Sequence, residues 1–344
     1  MNSPSPEAPE EPNAAQVMGI LSGYWQTKIL LTATESDLFT RLSGTSVGAT
    51  ELSESLGYRM PGAGDFFLAL AGLGLIESHE GTYRNSPTAE RFLVRGRPEY
   101  IGGYLQFCGR ELNPAWAGLG ASLRTGRPAN AAAAEGNPYH SLYADAAATD
   151  SFLDSMDMFN TPIAARVGSL DWSRYSSFVD IGGARGNLAH RLVSVHPHLE
   201  AGVFDLPQLE RAFTTHMEGL ASSKPLTFHG GDFFTDPLPE ADVLIFGHIL
   251  HNWGAEDRVK LLRAAYKAVR PGGAVVVYDP MVSDDTPPLF AVMASLSMLV
   301  WSAGGHEYSV QDCHAWLKEA GFRPETVGLT DAADDVLIIA HKDR

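Results

Sequence analysis

The sequence predicts an α/β protein in two parts, a mainly helical N-terminal region followed by a doubly wound, largely parallel sheet. Three observations predict it. From Tyr175 onward short β-rich runs alternate with helical stretches, the pattern of strand–helix–strand units that feed a parallel sheet. Those runs, DVLIF and AVVVY among them, are continuously apolar, as strands buried on both faces are. The 344 residues suffice for roughly two domains of about 150 residues each.

Taken in order, residues 1–14 are rich in Pro, Glu, Ala and Ser without periodicity and read as a solvated tail. From Val17 to about Leu42 apolar residues recur at helical spacing, but around Ile20, Leu21, Trp25 and Ile29 they occupy more than one face. A helix apolar on two faces needs two partners, which points to a subunit interface. Next come a short amphipathic helix, Ala49 to Leu56, a turn at Gly57, and a second helix through Phe66, Phe67, Leu70 and Leu73 that ends at Gly74. Glu80-Gly81 then sits between two short β-like runs and reads as a hairpin turn. Helix, helix, hairpin is a winged-helix layout, and the region is bounded at 15–98. Residues 99–169 follow as a helical linking segment that forms pocket walls, and 170–344 hold the sheet.

A winged helix raises the question of DNA binding, and charge answers it. Between Arg59 and Ile76 there are one Arg, one Asp and no Lys, the wrong surface for phosphates. The whole chain carries 41 Asp+Glu against 25 Lys+Arg, a formal charge of −16, which offers no electrostatic drive onto nucleic acid. With 44% hydrophobic residues, 16 Phe, 11 Tyr and 6 Trp, a disordered regulator is excluded as well. Cys108 and Cys313 form neither a disulfide framework nor a zinc ribbon by spacing. The N-terminal residues have no basic-then-apolar leader pattern, and no run of 18 apolar residues follows; the expectation is a soluble cytoplasmic protein that avoids membrane and nucleic acid.

The chemistry gathers at predicted strand ends, where doubly wound folds bind ligands. Phe178 to Asn187 reads FVDIGGARGN, a strand running into a glycine turn and a helix. Such a turn lets backbone approach a ligand closely and offers helix N–H groups. The dinucleotide spacing fails, because Ala184 stands two after Gly182 and Arg185 two after Gly183. Asp180, at the strand end beside Gly182 and Gly186, suits an amino group better than phosphate. Asp205, with Leu206 beside it in VFDLP, ends the next strand where a carboxylate accepts ribose hydroxyls. Asp232 in GGDFF is placed for an adenine amino group, with Phe233 offering a ring to the base. Taken singly, each Asp is equally a turn or cap residue; the recurrence at successive strand ends is the signal.

The ordered set VDIGGARG, FDLP, GDFF, HILHNW, PGGAVVVYDP and AGGHEYS, behind a winged-helix-like N-terminus, resembles the S-adenosylmethionine-dependent O-methyltransferases of the plant caffeic acid and bacterial polyketide or phenazine type. The resemblance runs from about residue 16 to the end. It implies a Rossmann-like class I methyltransferase domain, a homodimer formed through the N-terminal domain, S-adenosylmethionine as cofactor and a small aromatic acceptor. By that resemblance Asp180, Gly182 and Gly186 surround the methionine moiety, Asp205 holds the ribose, Asp232 and Phe233 the adenine, Trp253 packs near the base, and Leu206 is a further cofactor-binding residue. Two positions depart from the pattern: Ala184 stands for the usual third glycine, and Gly247 for a lysine often found four residues before the catalytic histidine.

The resemblance makes His251 the general base, with Asp279 and Glu307 as the acids that orient its ring. The residue type suits that role. A phenol of pKa about 10 must lose a proton, and neutral imidazole is the side chain fitted to take it. His248, three residues earlier, raises an alternative in which a His-x-x-His pair with Glu307 or His306 binds metal; the resembled family uses none, and His248 is expected on the cofactor side instead. Phe152, Met156, Met298 and Trp301 match positions that wall the acceptor pocket, in pairs at helical spacing, which core packing would equally produce. Ser302 replaces an asparagine seen in some plant relatives. Methylation of carbon, nitrogen or sulfur on the same fold stays open at this point.

Overall fold

The change of texture at Tyr175 marks the first strand of a seven-stranded sheet. In a computed structural model of the chain, residues 13–344 are described, apart from 98, 135, 221–223, 283–286 and 330–334. The expected tail therefore lies outside the described residues except at its last two positions. There Asn13 caps the first helix, its side-chain oxygen accepting the Ala15 N–H at 2.8 Å.

The chain divides into two units, Met1–Gln106 and Phe107–Arg344. Residues 107–169 lie in the unit that holds the sheet. Burial explains this: Ile163, Ala164 and Val167 of the helix Ala146–Gly168 lie in one core cluster with Leu188, Ala189 and Leu192 of the helix Asn187–Val195.

In the first unit the helical stretch expected from Val17 to Leu42 is two helices, Ala14–Glu35 and Leu38–Leu42. Asp37 breaks it by adopting φ 58°, while the Ser36 hydroxyl bonds back to the Thr32 and Ala33 carbonyls, a local alternative to helix propagation. Helices Ala49–Leu56 and Gly62–Gly72 follow, then β2 (Ile76–His79) and β3 (Thr82–Asn85), which pair antiparallel; β1 (Val47–Gly48) adds to β3. Glu80 and Gly81 both have positive φ, 47° and 80°, the turn whose twist matches that of the strands it joins. Phe39, Leu42, Leu52, Phe67, Leu70 and Ile76 form the core of this unit. Val17, Met18, Ile20, Leu21, Tyr24 and Trp25 of the first helix are exposed in the single chain.

The second unit is built on β4 (Ser177–Ile181), β5 (Glu200–Asp205), β6 (Thr227–Gly230), β7 (Ala241–Gly247), β8 (Val269–Asp279), β9 (Arg323–Leu329) and β10 (Val336–His341), in the order β6-β5-β4-β7-β8-β10-β9. The strands β4 to β8 run parallel, whereas β10 pairs antiparallel with both β8 and β9. Strand order reverses between β4 and β7, and the crevice beyond that switch point is where such sheets bind ligands. The helices Ala255–Ala268 and Val310–Ala320 bury Leu261, Leu262 and Leu317 in one cluster, and Asn187–Val195 buries Leu188 and Leu192 in the other. Apolar cover on both sides is why these strands read as unbroken hydrophobic runs.

Candidate active site

The carboxyl ends of β4, β5, β7 and β8 deliver Asp180, Asp205, His248 and Asp279 to one edge of the sheet. After β4 the chain turns through Gly182, Ala184 and Gly186, all at positive φ (71°, 50° and 83°). The Asp205 carboxylate fixes this turn, accepting the Ala184 N–H at 2.8 Å and its neighbour Leu206 N–H at 2.7 Å. That bond accounts for an alanine where glycine is usual, since a left-handed L-residue costs roughly 1–2 kcal/mol. A Cβ on Gly182 would lie 2.2 Å from the Ile249 side chain, and one on Gly183 2.7 Å from the Asp180 carboxyl. The loop is thus closed around Asp180 and open only because those positions lack side chains.

Asp180 is 4% exposed, and among the described residues no donor reaches its carboxylate. Burial, with Asp205 adding repulsion, pushes it up to about 8. Burial likewise raises Asp205 to about 6, against its two N–H bonds. Asp232 uses Oδ1 to accept the Phe234 N–H at 2.9 Å, a turn-forming role, while Oδ2 lies 3.7 Å from His140 Nε2. Phe233 and Phe234 stand edge-on to Trp253, with centroids at 5.9 and 4.7 Å. The Trp253 indole Nε1 is buried and has no hydrogen-bond partner among the described residues.

His251 follows β7 in a short turn, Leu250–Asn252, and its Nδ1 lies 2.7 Å from Glu307 Oε1 and 3.8 Å from Asp279 Oδ1. Asp279 is held by the Tyr308 hydroxyl, which donates to Oδ2. Burial pulls His251 down to about 4 and pushes Glu307 up to about 8 and Asp279 to about 6. Burial thus disfavours the charged form on both sides of the bond, holding the ring toward neutral imidazole and the carboxyl groups toward their protonated forms. Asp279 Oδ1 and Glu307 Oε2 are buried acceptors with no donor among the described residues.

His248 belongs to a separate dyad. It sits at φ 53°, and its Nε2 lies 3.1 Å from both oxygens of Asp335. Burial alone would lower this ring, but the Asp335 carboxylate outweighs it and the net direction is up. The ring faces Tyr278, and its centroid is 5.8 Å from that of His251. Each histidine thus has its own carboxylate. A side chain at Gly247 is excluded sterically: a Cβ there would fall 1.9 Å from Tyr278 Cζ, and the Tyr278 hydroxyl is tied to Asn160 Oδ1 at 3.0 Å.

Of the expected acceptor-wall residues, Phe152 and Trp301 converge on Phe107, each with its ring centroid 5.3 Å away. Met156 and Met298 are half-buried. Ser302 is buried, with its hydroxyl 3.4 Å from the Met298 carbonyl at the end of the helix Leu289–Trp301.

Several residues of this edge belong to none of the motifs. Tyr139 donates to Asn252 Oδ1 at 2.7 Å, and Asn252 Nδ2 donates to the His248 carbonyl at 2.8 Å, latching the HILHN turn. Arg258 is wholly buried behind that turn. Its signal in the sequence is its place on the stripe of Leu261, Leu262 and Ala265, at the three-, four- and seven-residue spacings of a buried helix face. Asp335 immediately precedes the apolar run VLIIA.

The O-methyltransferase domain family matches residues 116–323 of this chain. The tetracenomycin polyketide synthesis 8-O-methyl transferase TcmO of Streptomyces glaucescens is 44% identical over 331 residues, covering 95% of this chain and 96% of that one. The N,N-dimethyltransferase OxyT of Streptomyces rimosus is 38% identical, covering 96% of each. Among solved structures, human N-acetylserotonin methyltransferase in complex with SAM, S-adenosylmethionine, superposes with a TM-score of 0.86 at 25% identity, covering 98% of this chain and 100% of that one.

Proposed function

Because the chain belongs to the O-methyltransferase family, we propose that it transfers a methyl group from S-adenosylmethionine to a hydroxyl of a small aromatic natural product, with His251 as the general base. The observation that carries this reading is the His251 Nδ1 to Glu307 Oε1 hydrogen bond of 2.7 Å at the carboxyl edge of the sheet.

The residues fit the cofactor. A buried Asp180 carboxylate without a donor, raised to about 8, calls for a cation, and the ammonium of a methionine moiety supplies one. Asp205 would hold the ribose hydroxyls, with Leu206, Gly182 and Gly186 lining the approach. Asp232, Phe233 and Trp253 would receive the adenine, the unpartnered Trp253 Nε1 offering a donor there. When bound, S-adenosylmethionine supplies a methyl group made electrophilic by its sulfonium.

The protein's part is alignment and proton removal. Above the pH at which Glu307 ionises, His251 donates its Nδ1–H to that carboxylate and presents the Nε2 lone pair to the acceptor hydroxyl. As the ring takes the proton, Glu307 at 2.7 Å and Asp279 at 3.8 Å stabilise the imidazolium. Phe152, Met156, Met298 and Trp301 would wall an aromatic acceptor, with Ser302 closing the helix that carries two of them. The winged-helix-like layout and exposed apolar face of the first helix support a homodimer built through the N-terminal unit. The two cysteines are free, and no helix among the described residues is long and apolar enough to cross a membrane.

Nitrogen methylation is the second reading, favoured by one observation, the 38% identity to a relative named as an N,N-dimethyltransferase. Incubating the purified chain with S-adenosylmethionine and panels of phenolic and amino-aromatic acceptors, then reading the new bond by NMR, separates the two. An O–CH3 product supports the proposal; an N–CH3 product with phenols untouched replaces it.

A further inference from the structure

We propose that Arg258 is a positioning residue for the reaction: its buried guanidinium clamps together the two loops that carry His251 and Glu307. The clamp is a matter of covalent neighbours. Arg258 Nε donates to the carbonyl of Leu250 at 2.9 Å, and Nη2 donates to the carbonyl of His306 at 2.5 Å. Leu250 precedes His251 and His306 precedes Glu307, so one planar group spans both halves of the proton-transfer pair. A third tie, from the His306 N–H to the His251 carbonyl at 3.0 Å, completes the link. Behind it the guanidinium lies over the rings of Tyr308 and Trp316, at 4.5 and 4.9 Å from their centroids.

A buried cation is expensive to keep, and hydrophobic replacements at such positions are often neutral or stabilising. Core packing alone does not call for arginine here. Electrostatics does. For His251 Nε2 to accept a proton, Nδ1 must carry the hydrogen, so Glu307 must be ionised; a protonated Glu307 donates to Nδ1 and leaves the ring hydrogen on Nε2, where the acceptor needs a lone pair. Burial favours the protonated carboxyl, and Asp335 works the same way, whereas the His248 imidazolium and the Arg258 guanidinium oppose it. The other groups facing the pair are Asp279 and, through Asp279, Tyr308. Arg258 thus acts twice, by geometry on the two loops and by charge on the tautomer.

This inference rests on His251 being the base, and the experiment keeps the two claims separate. Arg258→Met and Arg258→Lys are compared with wild type, His251→Ala and Glu307→Gln for kcat against pH, for affinity toward S-adenosylhomocysteine by calorimetry, and for the low-field proton resonance of the His251 Nδ1–H. For Arg258→Met the expectation is a fall in kcat of about 10–100-fold with cofactor-product affinity within about threefold, an acid limb of the pH profile displaced to higher pH, and a lost or shifted resonance. Arg258→Lys keeps the charge but reaches one carbonyl, so its limb stays near wild type while kcat remains reduced. Should the Met variant fail to fold, the Lys variant carries the test. Wild-type kcat, limb and resonance in a folded variant overturn the clamp, as does a loss of affinity equal to the loss of kcat. If His251→Ala retains full activity, the base assignment fails, while the resonance in the Arg258 variants still decides whether the clamp exists.

Discussion

His251 Nδ1 and Glu307 Oε1 lie 2.7 Å apart although 56 positions separate the two residues in the chain. The contact joins the turn after β7 to the loop before the helix Val310–Ala320, and Asp279 at the end of β8 approaches the same nitrogen only to 3.8 Å. The two acids are therefore unequal partners.

Glu307→Gln is expected to lower kcat by roughly 10–100-fold, since the amide oxygen still accepts Nδ1–H but cannot neutralise the imidazolium. Asp279→Asn should cost less, because the carboxylate stands farther off and is tied to Tyr308. Steady-state kinetics of the two variants check the order; a larger loss in Asp279→Asn would reverse the assignment.

The pH profile follows from the shared proton. Burial holds Glu307 above and His251 below its ordinary value, so at the acid end Glu307 is protonated, donates to Nδ1 and leaves the ring in the wrong tautomer. Competence is gained as pH rises, and the acid limb of kcat should lie above about 6.5, the ordinary value for histidine. In Glu307→Gln it should fall well below that value, where His251 alone titrates. An unchanged limb in that variant would show that the pair does not set it.

The proposed cofactor role of Asp180 carries a cost in stability. Its folded value, about 8, lies above its ordinary 3.8, so between those values the folded chain binds more protons than the unfolded one and stability declines as pH rises through that window. Asp180→Asn should raise the apo melting temperature at pH 8 by roughly 2–4 °C per kcal/mol recovered, with little gain at pH 4, and weaken S-adenosylhomocysteine binding. Melting curves at both pH values, with and without the ligand, test this; an equal shift at both would contradict it.

Much of the fold is legible in the sequence because its signals are local. The parallel strands show as apolar runs, and the glycine turn after β4 shows because three positive φ values in five residues need small side chains. The hairpin at Glu80-Gly81 declares itself the same way. What escapes is what depends on distant partners. Leu38–Leu42 is cut from the first helix by hydroxyl bonds and by a left-handed Asp37. His248 turns to Asp335, 87 positions away, a pairing that no spacing encodes. Asp232 reads equally as a turn residue and a ligand residue, and its Oδ1 is in fact committed to the turn. Arg258 reads as a charge on a surface helix by residue type, although its spacing from Leu261 and Leu262 puts it on the buried stripe.

The exposed apolar residues of the first helix give a prediction about assembly. Ile20 is 77% exposed and Trp25 56% in the single chain, large apolar side chains of the kind that clusters at protein–protein contacts. For the proposed homodimer, replacing both with Asp should give a monomer by light scattering. An unaltered dimer would put the interface elsewhere.

The central claim is that His251 serves proton removal while other residues hold the cofactor. Its most direct test pairs two numbers on one variant, His251→Ala: kcat with a phenolic acceptor and the dissociation constant of S-adenosylhomocysteine. The expected result is a fall in kcat on the order of 10²–10⁴ with the dissociation constant changed by no more than about threefold. Equal losses in both, or a kcat close to wild type, would contradict it.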